Sequence, residues 1–339
     1  MTESITVSIY ELDFGNSPIH LSRGKSNTYT DSDNLLHSDS IKSAIFTTAI
    51  ELFGESKINE SFFDSFKVSS AFPVIKNKYF LPKPAHFGVG IDDPKLRKSL
   101  NDVQFLELKF WEKYAQGLQD EGQLTTKSFL KSPFKSESTQ RVWIKYAYEE
   151  RENEQGFDYK KLKDEDFNLD STPFYIEKKY LEKDHKLYFI VQITEGIESD
   201  IFFKDLDGIM RLLGDNGIGL QRGIGNGHFV AQRKELTLNL PLKQNAQMSL
   251  SLYCPADAPT LQQLNLNQSY YKLIKRGGWI STPITTFRKR SIYMFTEGSV
   301  FKTPEVPKGK KENLQPDIFK EHEIWRDGNA LFLPIHLPK

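Results

Sequence analysis

The sequence predicts an α+β protein of two halves, each a sheet with helices on one face. Three observations lead there. A strand followed by a helix occurs twice, over residues 5–54 and 187–213. Several further segments alternate apolar and polar residues with the period of a strand. The alternating strand–helix units are too few for a doubly wound parallel sheet. The 339 residues suffice for two ordinary domains, and the expected division is 1–172 and 173–339.

ITVSIYELDF (5–14) reads as a strand whose inward set shifts from Val7 and Ile9 to Tyr10, Leu12 and Phe14, which predicts a bulge. HSDSIKSAIFTTAIELFG (37–54) is a helix: Ile41, Ala44, Ile45, Ala49, Leu52 and Phe53 share one face, with Ser38 or Asp39 to cap its start and Gly54 its end. FKVSSAFPVIKNKYFLPKP (66–84) predicts two short extended pieces closed by prolines. VQFLELKFWEKYAQG (103–117) predicts a strand running into a short helix. Residues 118–172 are polar and read as a linker or surface insertion. KLYFIVQI (186–193) is a buried strand. KDLDGIMRLLG (204–214) is a helix with Asp205 as cap. ELTLNLPL (235–242) and MSLSLYC (248–254) are expected to pair as a hairpin. SIYMFTEGSVF (291–301) and NALFLPIHL (329–337) are further strands.

Composition narrows the function. The 25 Phe, 14 Tyr and 4 Trp exclude disorder along the whole chain. No apolar run approaches the length of a membrane span, and the start lacks the pattern of a secretory signal, so a cytoplasmic protein is expected. The single cysteine, Cys254, gives no disulfide framework, and the seven histidines show no pair at metal-ligand spacing. No cofactor is implied. Lys and Arg balance Asp and Glu at 45 each, yet residues 216–234 and 258–296 hold basic residues and no acid. Segregated positive charge can hold a polyanion at zero net charge.

Seven of the 21 glycines lie between Gly208 and Gly227, most densely in GIGLQRGIGNGHF (217–229). This is no dinucleotide fingerprint. The G-x-G-x-x-G spacing is absent, and the order is helix, loop, strand rather than strand, loop, helix. A glycine loop leaving a helix can instead bring backbone amides close to phosphates, with Arg222 adding charge; the plain alternative is a long cap and turn with no ligand.

Counting this loop, five segments occur in an order that resembles the RAMP proteins of CRISPR effector complexes. They are SPIHLSR (17–23) with HSDSIKSAIF (37–46), SSAFPVIKNKYFLPKP (69–84), the glycine loop itself, KRGGWI (275–280) with RKRSIYMFTEGSVF (288–301), and HEIWRDGNALFLPI (322–335). Within that superfamily the chain resembles the Cas-five group and the fourth-subunit family of type III-A (Csm) complexes. The resemblance implies two ferredoxin-like (RRM-like) RAMP domains with a glycine-rich loop. It also implies a non-catalytic subunit that caps the filament, holds the 5′ tag of the crRNA, and docks the large polymerase-like subunit and the backbone RAMP subunit.

On that footing the expected RNA contacts are His37, Ser38 and Lys42 at the first helix, Gly217, Gly219, Arg222, Gly223, Gly225, Gly227 and His228 in the loop, and Arg276, Arg288, Lys289 and Arg290 near the C-terminus. Phe229, Trp279 and Phe287 are candidates for base stacking or for core. Three alternatives stay open: a crRNA-processing RAMP endoribonuclease using His20 as base, the equivalent capping subunit of a type III-B complex, and an interaction module without RNA.

Overall fold

A computed structural model describes residues 2–21, 32–88, 94–117, 128–144, 171–281 and 286–337. In chain order the first part runs β1 (Thr2–Asp13), α1 (Ser38–Phe53), α2 (Glu60–Asp64), β2 (Phe66–Val68), β3 (Phe72–Ile75), β4 (Lys78–Pro82), α3 (Pro94–Asn101), β5 (Phe105–Glu107), α4 (Leu108–Ala115) and β6 (Phe129–Leu130). A long hairpin follows, β7 (Phe134–Ile144) with β8 (Ser171–Leu181), then β9 (His185–Ile193), α5 (Ser199–Asn216) and β10 (Val230–Pro241).

One antiparallel sheet of eight strands organises the molecule, in the order β10-β1-β9-β3-β4-β5-β6, with β2 also pairing β9. β1 lies between β9 and β10, so the expected boundary at 172/173 runs through a single sheet. Helices α1 and α5 pack against each other on one face, over Tyr10, Leu12, Phe189 and Val191. The other face is covered too. There Ile9, Tyr188, Leu236 and Leu238 pack with Trp111 of α4 and with C-terminal residues such as Met248, Leu333 and Ile335.

Covering both faces explains the run Ile9–Leu12, in which every residue is buried. The sequence pattern suggested a bulge, but β1 pairs with β10 without interruption from Thr2↔Pro241 to Asp13↔Val230. Successive side chains alternate between two cores, and a strand with two buried faces loses the polar half of its alternation. The expectation of helices on one face alone is corrected for the same reason.

The C-terminal part comprises β11 (Ala246–Ser249), α6 (Ala258–Gln263), β12 (Leu273–Arg276), β13 (Trp279–Ser281), β14 (Thr286–Arg288), β15 (Ile292–Phe295), β16 (Val300–Phe301), β17 (Lys311–Asn313), β18 (Trp325–Asp327) and β19 (Phe332–Ile335). β11 pairs β16 and β19, not β10, so the hairpin expected between 235–242 and 248–254 does not form. Both segments alternate cleanly, but each finds its partner far away in sequence. The segment 291–301 is two strands, β15 and β16, with Gly298 at φ +79 between them. α5 starts six residues before Asp205, at Ser199, and Glu198 occupies its cap position. Of the polar stretch 118–172, residues 128–144 hold β6 and the first hairpin arm, β7, and 171–172 begin β8, while 118–127 and 145–170 lie outside the described residues. No helix among the described residues is long and apolar enough to cross a membrane.

Candidate nucleic-acid interface

Most of the expected contact residues fall into two groups with opposite character. The first surrounds the N-terminus of α1 and is buried. His37 takes the cap position but makes no side-chain cap bond. Its ring joins two carboxylates, Nδ1 to Glu297 Oε1 at 2.8 Å and Nε2 to Asp33 Oδ2 at 3.2 Å. Burial disfavours its charge, but the Glu297 carboxylate and the two hydrogen bonds outweigh that and raise its pKa to about 9. Ser38 Oγ accepts from the Leu252 amide at 3.0 Å, deep inside the protein. Lys42 is 1 % exposed. It donates to Phe66 O at 2.6 Å, pairs with Asp327 at 3.1 Å, and stands over the Phe63 and Phe66 rings.

Arg276 belongs to this group. It is buried, and its Nε and Nη2 each reach a carboxylate oxygen of Asp39 at 2.9 Å. Arg326 meets the same carboxylate at 2.5 Å. Burial opposes the charge on Asp39, and Arg276 and Arg326 overcome it, holding the carboxyl well below its usual range. Asp39, read from sequence as a cap, is instead the hub that joins α1 to β12 and β18. Lys289 sits at the rim, where burial and then Arg326 push its pKa down to about 8.

The second group is the glycine loop, which leaves α5 at Gly217 and enters β10 at Val230. Its glycines do two different jobs. Gly217, Gly219 and Gly227 have φ of +75, +96 and +77, a region costly for other residues. A Cβ on Gly217 would lie 2.8 Å from Asn226 O and one on Gly219 2.7 Å from His20 O; one on Gly227 would collide with Ile218 O. These three glycines let the loop fold onto itself and onto residues 17–20. Ile218 N donates to Gly227 O, Gly227 N to Pro18 O, and Leu220 N to His20 O, at 2.8–2.9 Å. The amides of Gly217, Gly225, Gly227 and His228 are all engaged inside the fold.

Arg222, Gly223, Ile224 and Gly225 form the exposed tip, with a 3-10 turn at Arg222–Ile224. A Cβ on Gly223 or Gly225 would meet nothing within 4 Å. Leu220, Ile224 and Val230 are exposed around the tip, Val230 at 72 %. His228 is half-buried.

Arg288 and Arg290 are exposed. Arg288 stands over the Trp279 ring at 5.3 Å, and Arg290 pairs with Asp317. Trp279 is exposed, whereas Phe229 is buried and Phe287 packs against Phe319. His20 is 1 % exposed, with Nδ1 2.6 Å from Glu177 O.

Sequence reasoning missed the β7–β8 hairpin. It joins the loop region where Ile19 bridges Lys179, and Lys135–Gln140 on its first arm are all exposed. The alternation in STPFYIEKKYL was its one signal, submerged by the polar residues before it.

Known proteins are similar to this chain in sequence and in fold. Residues 242–335 match the family model described as CRISPR Csm4 C-terminal domain. The chain is 25 % identical over 95 % of both lengths to the CRISPR system Cms protein Csm4 of Methanocaldococcus jannaschii. It is also 25 % identical to the protein of that name from Thermococcus onnurineus, over 89 % of this chain and 92 % of that one. Two crystal structures share the fold. One is a Csm1-Csm4 cassette in complex with cA4, at TM-score 0.61, 19 % identity and coverage of 99 % and 100 %. The other is a Csm3-Csm4 subcomplex of the type III-A interference complex, at TM-score 0.61, 20 % identity and coverage of 97 % and 100 %. With the family domain matched at its C-terminus and two relatives of the same name aligned over nearly their whole length, the chain is similar throughout to the Csm4 proteins of CRISPR systems.

Proposed function

We propose that this chain is a non-catalytic, crRNA-binding subunit of a type III-A CRISPR effector complex. It caps the filament, holds the crRNA 5′ tag, and docks the large polymerase-like subunit on one side and the backbone RAMP subunit on the other. The solved relatives with Csm1 and with Csm3 support the two docking roles. The element order β1-α1-β3-β9-α5-β10, with β10-β1-β9-β3 side by side, supports a ferredoxin-like RAMP reading of residues 2–241.

The observation that carries the RNA reading is the tip Arg222–Gly225. It projects one guanidinium and two glycines with open space around them, held in place by the closed glycines at its base. A phosphate can approach such a backbone closely. Arg288 and Arg290 are the other accessible cations of the expected set. His37, Ser38, Lys42 and Arg276 act one step removed, by fixing the frame.

An endoribonuclease reading is less well supported: His20, the base it would use, is 1 % exposed with Nδ1 2.6 Å from Glu177 O, out of reach of a substrate hydroxyl. The test is to express the chain with its genomic neighbours and sequence the bound RNA. RNA bearing the repeat-derived tag is the expected result. A complex that assembles without RNA, or an isolated chain that cleaves repeat RNA in EDTA, overturns the reading.

A further inference from the structure

Strand β10 is the outer strand of the large sheet, and one stretch of its free edge is open. The pairing register shows which groups point outward. Ile190, opposite Ile9, turns its backbone to Ser69: Ser69 N donates to Ile190 O, and Ile190 N to Ser69 Oγ. Ile9 therefore turns toward its β10 partner Lys234, and the odd-numbered residues of β10 face away from the sheet. Both ends of the outward row fit. Phe229 N donates to Gly214 O at 3.2 Å, and Asn239 N to Glu112 Oε1 at 2.7 Å.

Between those two stoppers the outward amides and carbonyls of Ala231, Arg233, Glu235 and Thr237 have no hydrogen-bond partner among the described residues. They span about 20 Å at the rise of an antiparallel strand. Arg233, Glu235 and Thr237 are exposed. A groove of about 650 Å³ runs beside them between α5 and β10, floored by Tyr10, Met210, Phe229 and Ala231.

Natural edges are usually shortened, bulged or covered. This one is straight, bounded by its own stoppers, and backed by a groove. We infer that the edge of β10 from Ala231 to Thr237 receives an extended strand from a partner protein, which extends the sheet by antiparallel main-chain pairing. The alternating side chains state what that strand carries. Glu235 calls for a basic residue opposite, Arg233, which also pairs with Asp207 at 3.3 Å, for an acidic one, and Ala231 for an apolar one that reaches the groove. The inference involves no RNA, so it stands or falls apart from the reading of the glycine loop.

A synthetic peptide with threonine first, lysine third, glutamate fifth and isoleucine seventh, separated by serines, is the probe. It is added to the full-length chain, and exchange is followed at the four outward amides. Slowed exchange there, weakened when lysine and glutamate are swapped, is expected. Glu235→Pro removes an outward donor and spares the ladder to β1; it weakens the peptide about tenfold, whereas Glu235→Ala, which keeps the amide, weakens it less. Thr237→Pro serves if Glu235→Pro does not fold. Unchanged exchange, or equal binding of both peptides, overturns the inference. So does an isolated chain that is already dimeric with these amides protected, because a second copy then holds the edge.

Discussion

The N-terminus of α1 and the glycine loop both look like phosphate sites in the sequence, and the fold treats them in opposite ways. At α1 the cations meet acids: His37 lies between Asp33 and Glu297, Arg276 and Arg326 share Asp39, and Lys42 takes Asp327. At the loop Arg222 stands on an exposed turn with open glycines beside it. Basic residues near a helix start are therefore no guide to a ligand until their partners are known. Buried, paired charge fixes position, whereas exposed charge over side-chain-poor backbone leaves room for a polyanion.

The largest effect that separates the two regions is on Asp39. Asp39→Ala strands the buried Arg276 guanidinium and the half-buried Arg326 one, and a loss of about 3–5 kcal/mol is expected in denaturant unfolding. A variant of near wild-type stability that loses only RNA affinity would break the comparison.

Next comes a contrast inside the loop. Gly227→Ala forces a methyl against Ile218 O at positive φ and is expected to cost about 1–3 kcal/mol. Gly223→Ala meets open space and stays within about 0.5 kcal/mol of wild type. Thermal unfolding of the pair checks this.

A smaller effect lies in pH dependence. The raised pKa of His37, about 9 against 6.5, means that its stabilisation is complete below pH 6.5 and is lost as pH rises through 9. His86 behaves in reverse. Burial between Tyr114 and Tyr270 lowers its pKa to about 4, so its contribution is complete above pH 6.5 and fades as pH falls toward 4. Unfolding midpoints across this range are expected to fall on both sides, and His37→Gln should flatten the alkaline side alone.

The smallest effect on stability is at Arg222. Arg222→Gln leaves the unfolding midpoint unchanged, weakens tag RNA binding, and lowers the salt slope by about one unit. An unaltered slope would remove the loop tip from the interface.

Much of the secondary structure was legible. The apolar faces of α1 and α5, the apolar run of β9 and the alternation in β10 are local patterns, and local patterns survive in sequence. What a strand pairs with is not local: β10 and β11 looked like one hairpin and went to different sheets. The candidate site was legible in part, since the glycine loop stands out by composition. The fate of Arg276 did not, because its partner Asp39 is 237 residues away. Nor could spacing tell Gly227, which closes the loop, from Gly223, which opens it.

The central place of β1 has a consequence for synthesis. This strand leaves the ribosome before both of its neighbours and stays unpaired until β9 and β10 emerge, the latter ending at Pro241. Most of the chain must be made while this apolar segment waits exposed, so the sheet closes late and slowly, and a nascent chain halted before that point carries an unsheltered sticky end.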